Sequence, residues 1–189
     1  AASNLAAPAA NNFCQLTDDG SWSKRSFHYS NAPEKKGYFV RYSEGIYVGY
    51  RYFETFCPEK VVFPYGFGLS YTTFTYESMT LDTHEMTEDG CVTVTVRVKN
   101  TGERAGKEAV QLYLRDMVAS AVRPVQELIA FEKIELAPGE SKEVTFRITE
   151  PQLRFWNAQN QFVSEAGEFR LMVGYADHFH FTDSFRLIK

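Results

Sequence analysis

From Thr80 to the end of the chain, apolar and polar residues alternate with a period of two. Val92, Val94, Val96 and Val98 fall on one side of an extended chain, and Thr93, Thr95, Arg97 and Lys99 on the other. Val110, Leu112 and Leu114 repeat the scheme against Gln111, Tyr113 and Arg115. So do Val144, Phe146 and Ile148, and again Phe169, Leu171 and Val173. Successive side chains of a strand point to opposite faces, so this alternation predicts strands with one buried and one wet face. Between them lie turn signals: Asn100-Thr101-Gly102, Ala137-Pro138-Gly139-Glu140 and Glu165-Ala166-Gly167. Short strands separated by such turns, with no amphipathic helix among them, predict a mainly β fold: an antiparallel sandwich of two sheets.

Upstream the pattern changes twice. Residues 38–76 hold fourteen aromatics threaded with Gly45, Gly49, Gly66 and Gly68, and residues 46–53 read as strand-like before a Pro-Tyr-Gly-Phe-Gly turn. Residues 1–37 are polar and weakly patterned, and read as a linker or poorly ordered segment with turn signals at Asp18-Asp19-Gly20 and Asn31-Ala32-Pro33. The chain thus divides into residues 1–37, an aromatic junction at 38–73, and a sandwich at 74–189.

The composition narrows the partners. Hydrophobic residues make up 44% of the 189, ample for a packed core, and the formal net charge of −4 argues against nucleic acid, which asks for a basic face. No apolar run approaches the roughly 18 residues of a membrane span, so no membrane partner is expected. The start, AASNLAAPAANN, lacks the basic and apolar stretches of a secretory signal. Cys14, Cys57 and Cys91 are odd in number and far apart, which fits neither a disulfide framework nor a zinc site. Together these features favour the cytoplasm over secretion, and nothing calls for a cofactor or a metal.

The segment VRYSEGIYVGYRYFETFCPEKVVFPYGFGLSYTTFTY, residues 40–76, resembles a junction in glycoside hydrolase family 3 β-glucosidases. There the α/β sandwich domain meets a C-terminal fibronectin-III-like domain, and the pattern is Y-x-E-G-I-x-V-G-Y-R-Y-[YF]-[DE], a short spacer, then F-P-[FY]-G-x-G-L-S-Y-T-x-F. Tyr42 and residues 44–46, 48–53 and 63–74 match it. VTVTVRVKNTGERAGKEAVQLYL, RPVQELIAFEKIELAPGESKEVTFRIT and GEFRLMVG resemble that fibronectin-III-like domain, so the likeness covers residues 38–189. It implies an immunoglobulin/fibronectin-III-like sandwich preceded by an incomplete piece of an α/β sandwich domain. It also implies that the barrel and the rest of the α/β domain are the partners.

The same resemblance says where chemistry belongs. Retaining glycosidases need two carboxyl groups about 5–5.5 Å apart. In the family the nucleophilic Asp lies in the barrel and the acid/base Glu in the α/β domain upstream of the junction; neither motif has a counterpart here. Glu44, beside several tyrosines, is the nearest substitute, but one carboxylate cannot run this reaction, and it is read as a hydrogen-bond acceptor for backbone amides or for Arg41 or Arg51. Tyr47, Tyr50 and Arg51, with Glu44, are the candidates for sugar contact, since tyrosine faces stack on sugar rings. The other reading is that Tyr47, Tyr50, Tyr52, Phe53, Tyr65 and Phe67 form a packed interface between domains. His178 and His180 share a strand face with Asp177 and Asp183 near; lacking a third placed ligand, they read as a solvated face of an edge strand rather than a metal site. Ser184 with His180 and Asp183 lacks the strained turn of a nucleophile and is no triad. Arg123, before Pro124, opens a strand or reaches a neighbouring domain.

Two functions compete on these grounds. One is the non-catalytic C-terminal part of a family 3 β-glucosidase, inactive alone and bracing the catalytic domains. The other is a free-standing fibronectin-III-like module for carbohydrate or protein. Either way the aromatic junction is expected to present apolar surface, inviting self-association or docking.

Overall fold

The structure, a computed structural model, describes residues 45–175 and 178–189, together with the backbone of residues 15–16 and 22–23. The chain divides into two compact units, Ala1–Phe63 and Pro64–Lys189. Most of the 1–37 segment, Cys14, Arg41, Glu44 and Asp177 lie outside the described residues.

In the first unit, β1 (Gln15–Leu16) pairs antiparallel with β2 (Trp22–Ser23). Residues 46–53 are not a strand: Tyr50–Phe56 is a short helix, α1. Gly49 stands just before it at φ 59°, a left-handed conformation that ends the extended run and that glycine adopts without a Cβ penalty. Beyond it the helical spacing brings the Tyr52 and Phe56 rings to 5.4 Å, while Tyr47 meets Phe56 edge-on at 4.8 Å. The apparent alternation Tyr47-Val48-Gly49-Tyr50 masked this helical period. No residue of α1 is buried.

The second unit is the sandwich that the alternation predicts. One sheet has three strands in the order β3 (Phe74–Leu81), β5 (Cys91–Asn100), β8 (Ser141–Thr149). The other has five, in the order β4 (Glu85–Thr87), β12 (His178–Ile188), β11 (Gly167–Tyr175), β6 (Gly106–Asp116), β7 (Glu127–Leu136). A small hairpin of β9 (Phe155–Trp156) and β10 (Phe162–Val163) lies between β8 and β11 in sequence. All pairings in the unit are antiparallel except that of β4 with β12, which covers only Arg186–Ile188 at the sheet's end.

Val92, Val94, Val96 and Val98 of β5 are wholly buried, as the period-two pattern requires. With Val144 and Ile148 of β8 they meet Val110, Leu112 and Leu114 of β6 and Phe169, Leu171 and Val173 of β11 in one cluster. Burial of such side chains contributes about 1.5–3 kcal/mol each and drives the two sheets together. On the wet face of the smaller sheet Arg97 bridges Glu77 at 3.0 Å and Glu143 at 3.7 Å, cross-strand pairs that fix register more than they add stability.

Strand β6 departs from the simple scheme. Gln111 and Tyr113, assigned by alternation to the wet face, are also buried. Tyr113 packs with Met172, Leu128 and Phe179, its ring edge-on to Phe179 at 5.5 Å. Gln111 lies under Gly66: a Cβ added there would come within 2.3 Å of the Gln111 Nε2 atom. Gly66 has φ 91°, so this turn needs glycine for both its backbone and its close approach. The irregular segment before β3 therefore covers part of the outer face of the larger sheet. The same segment is tied to the strand ends by Asn100, which is fully buried. Its Oδ1 accepts from Thr72 Oγ1 at 2.6 Å and Gly102 N at 3.0 Å, and its Nδ2 donates to the carbonyls of Arg104 and Leu136.

The register of β5 gives a direct check. Val96→Asp places an unpaired charge in the core and is expected to lower stability by about 3–5 kcal/mol, whereas Thr95→Asp, on the other face, costs under about 1 kcal/mol. Chemical denaturation of both variants reads this; equal losses would show the register to be wrong.

Candidate functional site

At the end of the sandwich where the segment before β3 joins it, a carboxylate is held between the sheets. Glu108 follows the parity of Val110, Leu112 and Leu114 and so points toward the core side, where it is 7% exposed. Its Oε1 accepts hydrogen bonds from Tyr76 Oη of β3 at 3.0 Å and from Tyr175 Oη of β11 at 2.7 Å. One oxygen thereby links three strands drawn from both sheets. Burial, then the Glu108 carboxylate, pushes the Tyr76 phenol far above its ordinary value; burial and the hydrogen bond to Glu108 push Tyr175 up as well. Both phenols stay protonated and donate.

His180 stacks on Tyr76, ring centroids 4.2 Å apart and planes within 12°. Burial, then His178, whose ring lies 5.2 Å away, lowers its pKa and favours the neutral imidazole. Both histidines of this β12 face are exposed, and His180 in addition stacks on a core tyrosine. A cavity of about 380 Å³ opens beside this group, and Glu108 is the only carboxylate among its lining residues. Retaining hydrolysis needs a pair of carboxyl groups, and this lining supplies one.

The residues singled out from sequence are dispersed. Glu44 lies outside the described residues. Tyr50 is 59% exposed on α1, with the Arg51 guanidinium 5.9 Å from its ring centre, and Tyr47 turns to Phe56 instead. These three share one short stretch of the first unit. Among the described residues no three of His, Cys, Asp or Glu come together as metal ligands. Arg123 resolves as a residue of the sandwich: it pairs with Glu127 and lies 4.9 Å over the Phe155 ring. Near it Asp116 has an Oδ2 without a hydrogen bond among the described residues, and burial raises its pKa. Glu108 was missed, although a signal existed: a charged residue at the parity of three core positions must have a buried partner.

The second feature is an apolar surface. In the segment before β3, alternate residues Tyr65, Phe67, Leu69 and Tyr71 are 66%, 54%, 94% and 92% exposed. Single exposed apolar side chains are ordinary, but a run of four is the mark of a surface that meets something.

Comparison with known proteins agrees with this architecture. A family profile described as a fibronectin type III-like domain matches residues 108–176. Thermostable β-glucosidase B of Acetivibrio thermocellus is 44% identical over 136 residues, 71% of this chain and 18% of that enzyme. The periplasmic β-glucosidase of Salmonella typhimurium is 49% identical over 113 residues, 60% of this chain and 15% of that enzyme. Among solved structures, the β-glucosidase of Kluyveromyces marxianus matches with a TM-score of 0.69 at 39% identity, covering 79% of this chain and 18% of that one. The chain thus spans only 15–18% of the length of these relatives, and in them the matching segment is part of a larger multidomain chain.

Buried Tyr76 and half-buried Tyr175 predict alkaline lability. Their folded pKa values lie above the ordinary 10.0, so the stability they lend is complete below about pH 10 and is lost as pH rises beyond it. Absorbance at 295 nm should show Tyr76 and Tyr175 ionising only as the fold melts; full phenolate formation near pH 10 with dichroism unchanged would contradict the arrangement. Sheet order, the β5 valines, the profile match and the relatives converge on one assignment: this chain corresponds to the C-terminal, fibronectin type III-like part of glycoside hydrolase family 3 enzymes.

Proposed function

We propose that the chain serves as the non-catalytic C-terminal part of a β-glucosidase, an enzyme that hydrolyses terminal non-reducing β-D-glucosyl residues, and that it braces the catalytic domains. The observation that carries this reading is the exposed run Tyr65, Phe67, Leu69 and Tyr71, set on a well-packed sandwich that has no need of it for its own core. An apolar strip fixed on a rigid scaffold suits docking onto the remaining barrel and α/β domains. The first unit supports the same view by itself. Its seven-residue helix buries no residue, and a helix that short gains stability only by packing against something else. Tyr47, Tyr50 and Arg51 then belong to a packing face rather than to a sugar subsite.

A free-standing carbohydrate- or protein-binding module is the other reading. The larger size of the relatives weighs against it, since each carries the matching segment within a longer chain. Self-association through the strip is what the isolated chain would show for want of its partner.

A chimera separates these readings. The 189-residue chain replaces the matching segment of the Acetivibrio thermocellus enzyme, and turnover of an aryl β-glucoside is measured. The chain alone is expected to be inactive and the chimera active. Leu69→Ser with Tyr71→Ser should leave the melting of the isolated chain within about 0.5 kcal/mol of the parent, because both side chains are exposed there. In the chimera the same pair should lower thermal stability and activity together. Equal behaviour of the parent and variant chimeras would overturn the docking role, and turnover by the chain alone would overturn the non-catalytic one.

A further inference from the structure

The small hairpin of β9 and β10 carries an aromatic pair that the core does not use. Trp156 and Phe162 stand directly opposite each other across the two strands, ring centroids 5.3 Å apart and planes tilted by 38°. Directly opposed residues share one face, and alternation puts Phe155 and Val163 on the other. That inner face is the anchor: Phe155 is buried, with the Arg123 guanidinium 4.9 Å over its ring. The outer face is open, with Trp156 66% and Phe162 47% exposed. The connection between the strands is fixed from within. Asn157 Oδ1 accepts from the backbone N–H groups of Gln159 and Gln161, both at 3.0 Å, and its Nδ2 donates to Gln161 Oε1 at 3.2 Å. The two rings are therefore presented on a set backbone, and an occupant meets them without a large ordering cost.

Size and charge say what kind of occupant fits. The exposed area of the two rings is roughly 250 Å², against about 800 Å² per partner in a standard protein–protein interface. The pair is too small to hold a second protein chain by itself. From Phe155 to Val163 no residue is charged, in a chain of which 23% is Asp, Glu, Lys or Arg. The flanking Arg154 is held by Glu150 at 2.8 Å, and Glu165 is turned to Ser120. The face thus offers nothing to an ionic ligand, and its complement is neutral. It does offer uncharged polar groups: the exposed side chains of Gln159 and Asn160 and the Trp156 indole N–H make no hydrogen bond among the described residues. Flat ring faces with amide donors and acceptors at the rim match a sugar, which has C–H groups on its faces and hydroxyls at its edge. Two rings side by side give places for two linked units. We propose that the Trp156–Phe162 face is a binding site for a neutral oligosaccharide chain, with Gln159 and Asn160 at its rim. The face holds no carboxylate, so it binds without hydrolysing, and it does not depend on the docking role of the strip.

The test uses the intact chain, isotopically labelled, titrated with cellohexaose and mannohexaose as neutral probes and with hexagalacturonate as an anionic one. The Trp156 indole N–H and the backbone amides of Gln159, Asn160 and Phe162 should move and saturate with a neutral probe and not with the anionic one. Trp156→Leu keeps an apolar partner for Phe162 but has no ring face, and should weaken binding about tenfold or more; Trp156→Tyr should restore it to within about threefold of the parent. A cross-strand pair that only holds the hairpin together would change melting in these variants and show no saturable shift in the parent. Gln159→Ala, at the exposed tip, should leave melting unchanged and weaken binding by roughly threefold; it decides the matter if Trp156→Leu does not fold. Shifts that stay linear in both neutral probes, or that saturate as in the parent in Trp156→Leu or in Gln159→Ala, would overturn the site. So would tighter saturation by hexagalacturonate. Self-association of the chain that Trp156→Leu abolishes would assign the face to a second copy and overturn it as well.

Discussion

The carboxylate of Glu108 is the interaction on which the arrangement of this molecule turns. It sits on β6, the strand buried on both faces, and its Oε1 takes one phenol from the smaller sheet and one from the larger. The apolar core would hold two sheets face to face without it, because dispersion and burial are non-directional. What the carboxylate adds is position: Tyr76, Tyr175 and, through stacking, His180 are fixed at the end of the sandwich where the aromatic segment joins. Removing it would leave the buried Tyr76 phenol without its acceptor, a cost of about 1–3 kcal/mol, and the half-buried Tyr175 phenol unanchored.

A second polar centre works with it. Asn100 ties Thr72, the β5–β6 turn and the end of β7 through side-chain hydrogen bonds, all made without water. Between Glu108 and Asn100 the chain from Pro64 to Thr72 is laid across the sandwich end, with Gly66 pressed on Gln111. That fixed course leaves Tyr65, Phe67, Leu69 and Tyr71 facing outward. The exposed strip is therefore held on an ordered support and not on a loose tail, which is what docking without a large ordering cost requires.

Much of this was legible in the sequence. Wherever one strand face is buried and the other is wet, alternation reports it, and the valines of β5 are the clearest instance. It fails where a second layer covers the wet face. Gln111 and Tyr113 look solvated in a strand-by-strand reading because their cover comes from an irregular turn and from a neighbouring strand pair. It fails again at α1, where aromatic residues fit either period and a glycine at φ 59° interrupts the strand reading without announcing a helix. Of the site, the aromatic strip was visible as composition, while Glu108 needed parity to be applied to a charged residue. Glu44, the carboxylate that the local aromatics made conspicuous, lies outside the described residues.

The proposal that the strip is a docking face for the other domains of a larger enzyme is the one most open to direct test. Backbone hydrogen exchange at Leu69 and Tyr71 tests it most directly, since exchange rates report local opening and cover residue by residue. In the isolated chain these amides should exchange freely. In a chimera carrying the upstream domains of the Acetivibrio thermocellus enzyme they should slow by roughly a hundredfold or more, corresponding to about 3 kcal/mol of protection, while the amides of Val94 and Val96 in β5 change little. Exchange at Leu69 and Tyr71 that is equally fast in both proteins would contradict the account.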